Sequence, residues 1–292
     1  MENMHRFLLH NGEILPTDAH TASVGQTGLL NGWGVFSTLR VWDGVMFAYE
    51  RHWARMSRDA ALMRVPMPGA EELRAMLGRL IGANEAWNAT LRVAIVRNLG
   101  GLFQAPHLTR AFDVVAFTVP LQDWGLSARL AVEPNARFAA SPYSGAKILS
   151  WAQNLTILER AKERGFDEAV LLNEHGLVSE CTSANLFAAF GGKVYTPPLA
   201  SGCLAGITRE YLLEVVRVPG YEVREKDLTL EELYEADGVF LSSSTRECLA
   251  VREIEGRRVS GNGDAAAALG RGLREAMAGY AGAFRKSNSV LR

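Results

Sequence analysis

Ser144-Gly145-Ala146-Lys147, followed about thirty residues later by Ser179-Glu180-Cys181-Thr182-Ser183-Ala184-Asn185-Leu186-Phe187, is the stretch on which the reading of this chain turns. The first piece offers a lone amine after small residues. The second embeds a carboxylate in a run that becomes apolar. A lysine can form a Schiff base with an aldehyde, and a carboxylate can keep a pyridine nitrogen protonated so that the ring draws electrons from a substrate carbanion. Lysine and acid in this order therefore point to pyridoxal phosphate. Taken singly neither residue says much, because most lysines are solvated and most Ser-Glu pairs lie in turns. Their company carries more: Arg51-His52-Trp53-Ala54-Arg55-Met56 upstream and Gly206-Ile207-Thr208-Arg209 downstream.

The chain has 292 residues, 48% of them hydrophobic and 22% charged, which suffices for one large domain or two ordinary ones without covalent staples. A net charge of −1 gives no general attraction to nucleic acid or to an anionic membrane. Cys181, Cys203 and Cys248 are odd in number and widely spaced, so neither a disulfide framework nor a CxxC motif is expected, and a reducing cytoplasm fits. His5, His10, His20, His52, His107 and His175 lack metal-ligand spacing, and no metal is expected. The segment Met1-Glu2-Asn3-Met4-His5-Arg6 lacks a signal-peptide core and no run of about 18 apolar residues occurs, so a soluble protein is expected.

Hydrophobic patterning predicts a hairpin of residues 7–10 and 13–15 around Asn11-Gly12, then a strand over 34–41 turned at Trp42-Asp43-Gly44. On that strand Phe36, Thr38 and Arg40 share one side, and Ser37, Leu39 and Val41 the other. Helices are predicted over 50–63 and 70–80, with strands over 90–97 and 112–118. Proline and glycine in Val119–Leu126 mark a linker. The expected organisation is a small α/β domain over 1–118, a linker over 119–126 and a larger, strand-rich domain over 127–292, α+β in class. The second domain is predicted to hold a strand over 128–132 and an amphipathic helix over 149–164. Strands over 168–172, 184–190 and 193–195 follow, then a helix from Ile207. Strands near Val223, Val239 and Val251 lead to a final helix over 264–284.

Gly206-Ile207-Thr208-Arg209-Glu210 opening a helix can aim free backbone amides at an anion, although an ordinary capped helix start reads the same way. Ser242-Ser243-Ser244-Thr245 places hydroxyls at the end of a strand, where serines also satisfy their own backbone. Arg51 and Arg55, four apart on one helix, share a face that suits either a phosphate clamp or solvent.

In combination and order, these segments resemble the class IV aminotransferases. These are the fold-type IV pyridoxal-phosphate enzymes that include branched-chain and D-amino-acid aminotransferases and 4-amino-4-deoxychorismate lyase. The resemblance spans nearly the whole chain. It is carried by Asn11-Gly12-Glu13, Gly34-Val35-Phe36, His52 to Met56, Lys147, Asp167 to Asn173, Ser179-Glu180 through Phe187, Tyr195-Thr196-Pro197-Pro198, Gly206 to Arg209 and Ala236-Asp237. It implies that Lys147 binds the cofactor aldehyde and then moves a proton between the substrate α-carbon and the cofactor. It also implies Glu180 at the pyridine nitrogen, and Arg55, the amides of Ile207 and Thr208, and the hydroxyls of Ser243 and Ser244 around the phosphate. Phe36, Arg40, Arg92, Arg97 and Thr245 are implied on the substrate side. Partners are then an amino acid and a 2-oxo acid, and the assembly a homodimer.

Substrate choice is less direct. Asn31 and Thr90 stand where branched-chain enzymes usually carry pocket tyrosines, whereas Arg40 and Arg92 resemble the branched-chain pattern. Arg97, followed by Asn98-Leu99-Gly100-Gly101, resembles the D-amino-acid and lyase patterns. Trp151 stands where many members have a tyrosine, as in some R-selective amine transaminases, and also suits packing. Arg92 and Arg97, five apart on one strand, are expected on opposite faces. A branched-chain-like amino-acid aminotransferase is the leading reading. The alternatives are a D-amino-acid or R-amine transaminase, a 4-amino-4-deoxychorismate lyase using a hydroxyl such as Ser37 or Thr38, and a cofactor-retaining protein without turnover.

Overall fold

The computed structural model describes residues 4–101, 108–261 and 263–289; the expectations for Met1–Asn3 and His107 fall outside them. The chain divides into two compact units. One draws on the chain up to Gln122, with Lys147–Trp151 and the chain from Ala278 onward. The other takes Asp123–Ala146 and Ala152–Met277.

The first unit begins with β1 (Phe7–His10) and β2 (Glu13–Pro16), joined by Asn11 and Gly12 at φ angles of 51° and 88°, the left-handed pair that a two-residue hairpin requires. A short helix, α1 (Thr27–Asn31), precedes β3 (Gly34–Trp42), and a second tight turn at Asp43-Gly44 leads into β4 (Val45–Met46). Helices α2 (Tyr49–Leu62) and α3 (Ala70–Ala83) follow, then β5 (Ala89–Arg97) and β6 (Phe112–Val119). The strands form an antiparallel sheet in the order β2-β1-β6-β5-β3-β4.

Strand period two assigns each face of this sheet its work. Val35, Leu39 and Val41 join Leu91, Val93, Ile95, Val114 and Ala116 in a core with Met56 of α2 and Leu73, Leu77 and Leu80 of α3. The opposite face carries Phe36, Thr38 and Arg40, paired across the ladder with Ala94, Arg92 and Thr90. Helix α1 was not expected from the sequence. Its Gly28 lies so close to β5 that a Cβ would stand 2.4 Å from the Arg97 carbonyl, a tertiary contact with no local signature.

The second unit contains β7 (Ser127–Arg137), α4 (Ala152–Glu163), β8 (Glu168–Asn173), β9 (Val178–Cys181), β10 (Asn185–Phe190), β11 (Lys193–Thr196) and α5 (Ile207–Glu214). It continues with β12 (Glu222–Glu225), α6 (Leu230–Glu235), β13 (Gly238–Ser243), β14 (Glu247–Ile254), β15 (Arg257–Arg258) and α7 (Asp264–Ser289), whose last turns belong to the first unit. The sheet runs β12-β11-β10-β13-β14-β7-β8-β9, with β15 on β14. Strand β8 is buried at every position, as a strand covered on both faces must be. The architecture is the strand-rich α+β arrangement expected.

Two α-helices of this unit also differ from the pattern reading. The helix expected from Leu149 starts at Ala152, because Leu149 N donates to Gly34 O at 2.9 Å and Ile148 bridges Val35, so strand-like pairing claims these residues first. Helix α6 was not anticipated, although its capping box, Thr229 with Glu232, is visible in the sequence. No described helix is long and apolar enough to cross a membrane.

Candidate active site

Lys147 lies at the start of a three-residue edge that pairs with β3. Its carbonyl accepts from Phe36 N at 3.1 Å, and its own amide donates to Asp59 Oδ2 at 3.0 Å. The backbone is thus held on both sides, and the half-buried side chain reaches the face that carries Phe36. There Nζ lies 4.5 Å from the centre of the Phe36 ring and 5.2 Å from that of Trp151, two rings that meet edge to face at 5.5 Å. Trp151 is therefore a wall beside the amine as well as a packing residue.

The three arginines read as carboxylate binders have different fates. The Arg92 guanidinium sits 4.1 Å from the Phe36 ring centre and 5.7 Å from Trp151, and burial pushes its pKa down. Among the described residues it has neither a hydrogen-bond acceptor nor a carboxylate partner. Arg97 faces the other way, as the spacing predicts: it lies 4.0 Å from the Trp33 ring centre and donates to Leu99 O and Arg64 O at 2.7 Å each. Arg40 is buried, donates to Val41 O and lies 5.1 Å from the Trp42 ring centre.

Helix α2 presents His52, Arg55 and Asp59 along one buried stripe, the three- and four-residue spacing of a helix face. Arg55 Nη2 donates to Ser37 Oγ at 2.8 Å, and Ser37 Oγ lies 2.8 Å from His52 Nδ1. Desolvation, then the charges of Arg55 and Lys147, push the His52 pKa well below 6.5, so the ring is neutral. Ser37, expected as a hydroxyl for lyase chemistry, is thus committed to α2 on the core face of β3.

In the second unit, Glu180 is buried on β9. Its Oε1 accepts from Arg137 Nε and its Oε2 from Leu204 N, each at 3.1 Å. Leu204 O in turn accepts from Asn185 Nδ2 at 2.9 Å and from Gly206 N at 2.8 Å. Gly206 caps α5, and a Cβ there would stand 2.0 Å from Asn185 Oδ1, so the close approach admits only glycine. Ile207 and Thr208 are buried at the first two helical positions, where backbone amides lack partners within the helix. The carboxylate and the helix start are therefore joined through one loop. Phe187 and Phe240, stacked at 4.8 Å on adjacent strands, fix the β10–β13 pair that puts Asn185 opposite Ser242. Ser242 Oγ is buried on that face without a partner among the described residues. Ser243 Oγ pairs with Thr245 Oγ1 at 3.3 Å and accepts from Arg246 N at 3.0 Å, and Ser244 is half-buried beside it.

The predicted residues thus gather into two clusters. Phe36, Arg92 and Lys147 meet in the first unit, with Arg55 on the α2 side and Arg40 and Arg97 turned to backbone carbonyls. Glu180, Ile207 and Thr208 are linked in the second, with Ser243, Ser244 and Thr245 at the end of β13. A cavity of about 420 Å³ in the second unit, lined by Gly191, Tyr221, Asp237, Gly261 and Asp264 among others, contains none of them. Sequence reasoning missed Asp59, Arg137, and Asn185 as the partner of Leu204. Asp59 alone carried a signal, its i+4 spacing from Arg55.

The chain belongs to the amino-transferase class IV family, whose model matches residues 34–254. It is 28% identical over 270 residues to the branched-chain-amino-acid aminotransferase of Salmonella typhimurium, covering 87% of this chain and 86% of that protein. It is 29% identical over 259 residues to the D-alanine aminotransferase of Bacillus licheniformis, covering 86% and 89%. The solved T.th. branched-chain amino acid aminotransferase with pyridoxamine 5'-phosphate superposes with a TM-score of 0.85 at 25% identity, over 95% of this chain and 96% of that one. The chain accordingly has the type IV fold and is a pyridoxal-phosphate-dependent aminotransferase.

Proposed function

We propose that this enzyme transfers the amino group of an amino acid, branched-chain L-amino acids first, to a 2-oxo acid. The observation that carries this reading is the Phe36–Trp151 wall, beside which lie both an amine, Lys147 Nζ, and a guanidinium without an acceptor among the described residues, Arg92. An amino acid brings a carboxylate for the second and an α-proton for the first.

The residues suit the cofactor. Ile207 and Thr208 open α5 at a buried helix start, Ser242 Oγ is a buried hydroxyl without a partner among the described residues, and Glu180 is an acid already fixed by two donors. In this reading Lys147 would hold the aldehyde end, Glu180 would hold the pyridine nitrogen, and Arg55, the Ile207 and Thr208 amides and the hydroxyls of Ser243 and Ser244 would hold the phosphate. When bound, pyridoxal phosphate supplies an aldehyde that condenses with amines and a ring that stabilises negative charge at the α-carbon. Lys147 Nζ then takes and returns the α-proton. Arg92 orients the carboxylate. Phe36 and Trp151 keep water from the amine and present an apolar surface to the substrate side chain. The enzyme works as a homodimer in the cytoplasm, an assembly that sedimentation checks directly.

The test is a panel of L-leucine, L-valine, D-alanine, an (R)-amine and aminodeoxychorismate mixed with purified holoenzyme, with the cofactor absorbance followed. Conversion to the pyridoxamine form by the L-amino acids, reversed by 2-oxo acids, is the expected result. Conversion by D-alanine alone moves the assignment to D-amino acids. Release of pyruvate and 4-aminobenzoate without an acceptor replaces transamination with the lyase.

A further inference from the structure

We propose that Asp59 is a positioning residue for Lys147, acting through the lysine's backbone amide; this rests on the reading of Lys147 as the cofactor-bearing residue. The edge Lys147–Leu149 pairs with β3 on one side only. Phe36 N donates to Lys147 O, Leu149 N donates to Gly34 O, and Ile148 bridges Val35. The Lys147 amide points away from that ladder, where no described strand offers an acceptor, and a buried N–H needs one. Asp59, 1% exposed on the last turns of α2, supplies it through Oδ2 at 3.0 Å.

The two carboxylate oxygens divide their work. Oδ1 accepts from Arg58 Nε and Nη2 at 3.1 and 2.8 Å, but the Arg58 side chain is 55% exposed, so water can replace this pair. Oδ2 turns inward to Lys147. Because Arg55 holds Ser37 of β3 four residues earlier on the same stripe, α2 grips both strands that set the direction of the lysine. Without Asp59 the Lys147 amide loses its acceptor on the α2 side, and with it a constraint on the place of Nζ beside Phe36 and Trp151.

The test compares Asp59→Leu, Asp59→Asn and Arg58→Gln holoenzymes by hydrogen exchange at the Lys147 amide and by steady-state kinetics. Asparagine keeps an oxygen acceptor for the amide and leucine does not. In Asp59→Leu the Lys147 amide is expected to exchange at least ~tenfold faster while the amides of Val93 and Ile95 stay protected, and kcat falls at least ~tenfold with KM little changed. Asp59→Asn restores most of both, and Arg58→Gln leaves both as in the parent. Unchanged exchange at Lys147 in Asp59→Leu overturns the proposal, as does an Asp59→Asn variant as impaired as the leucine one. Should the leucine variant not fold, Asp59→Ala takes its place under the same criteria. Borohydride reduction followed by peptide mapping tests the underlying reading separately. A pyridoxyl group on Lys147 upholds it, and its absence there removes that reading while the exchange data still report on Asp59.

Discussion

The guanidinium of Arg92 lies 4.1 Å from the centre of the Phe36 ring, and Lys147 Nζ lies 4.5 Å from the same centre. An aromatic face attracts cations, yet a guanidinium partly removed from water with no anionic partner among the described residues is expensive to hold. A substrate carboxylate relieves that cost. Arg92→Gln is therefore expected to lower kcat/KM by about ten- to a hundredfold, mostly through KM, as follows from about 1.5–3 kcal/mol for a charge-assisted hydrogen bond. Arg97→Gln, whose guanidinium is bonded to Leu99 O and Arg64 O, has a much smaller effect. Steady-state kinetics on the two variants decide between them.

Glu180→Gln keeps an acceptor for Leu204 N but loses the charge that the proposed reading sets against a pyridinium. The expected outcome is a kcat lower by about a hundredfold or more with the fold retained, since the charge acts at the reacting system. Circular dichroism and turnover measured on the same sample check both halves.

Gly206→Ala drives a methyl toward Asn185 Oδ1, whose amide is anchored to Leu204 O. Overpacking of this kind costs about 1–3 kcal/mol, and here it displaces the start of α5. Both the melting temperature and the retention of pyridoxal phosphate during dialysis are expected to fall. Loss of stability with unaltered cofactor retention would separate α5 from the phosphate.

His52 gives the pH dependence. Its folded pKa is pushed well below the ordinary 6.5 by desolvation and by Arg55 and Lys147, so the unfolded chain takes a proton in a range where the folded one does not. The corresponding stability is present above about pH 6.5 and is lost as pH falls below it, by at most about 1.4 kcal/mol per pH unit. His52→Asn, which keeps a polar partner for Ser37, is expected to flatten that slope between about pH 6.5 and 5. Denaturant melts across this range measure it.

Much of the candidate site was legible in the chain because it is written in local chemistry. The lysine after small residues, the embedded Glu180, the helix start at Gly206 and the paired arginines of α2 each need only a few neighbouring residues to be recognised. Strand alternation also separated Arg92 from Arg97 before any coordinates. The partners of those residues were not legible. Asp59 meets Lys147 across 88 positions, Arg137 meets Glu180 across 43, and nothing nearby in sequence marks either pair. The start of α4 failed for the same reason, since β3 draws Ile148 and Leu149 into pairing that their apolar periodicity does not announce.

Residue types and their spacing were enough for the family, the cofactor chemistry and the alternation of faces on β3 and β5, because each follows from side-chain chemistry and the fixed periods of backbone geometry. It took the packed chain to show that Arg92, rather than Arg40 or Arg97, lies by the Phe36 and Trp151 rings without an acceptor among the described residues, that Ser37 is already taken by α2, and that Asp59 accepts from the lysine's backbone amide. Those outcomes depend on which distant groups burial brings within hydrogen-bond reach, and burial is a property of the whole packed chain.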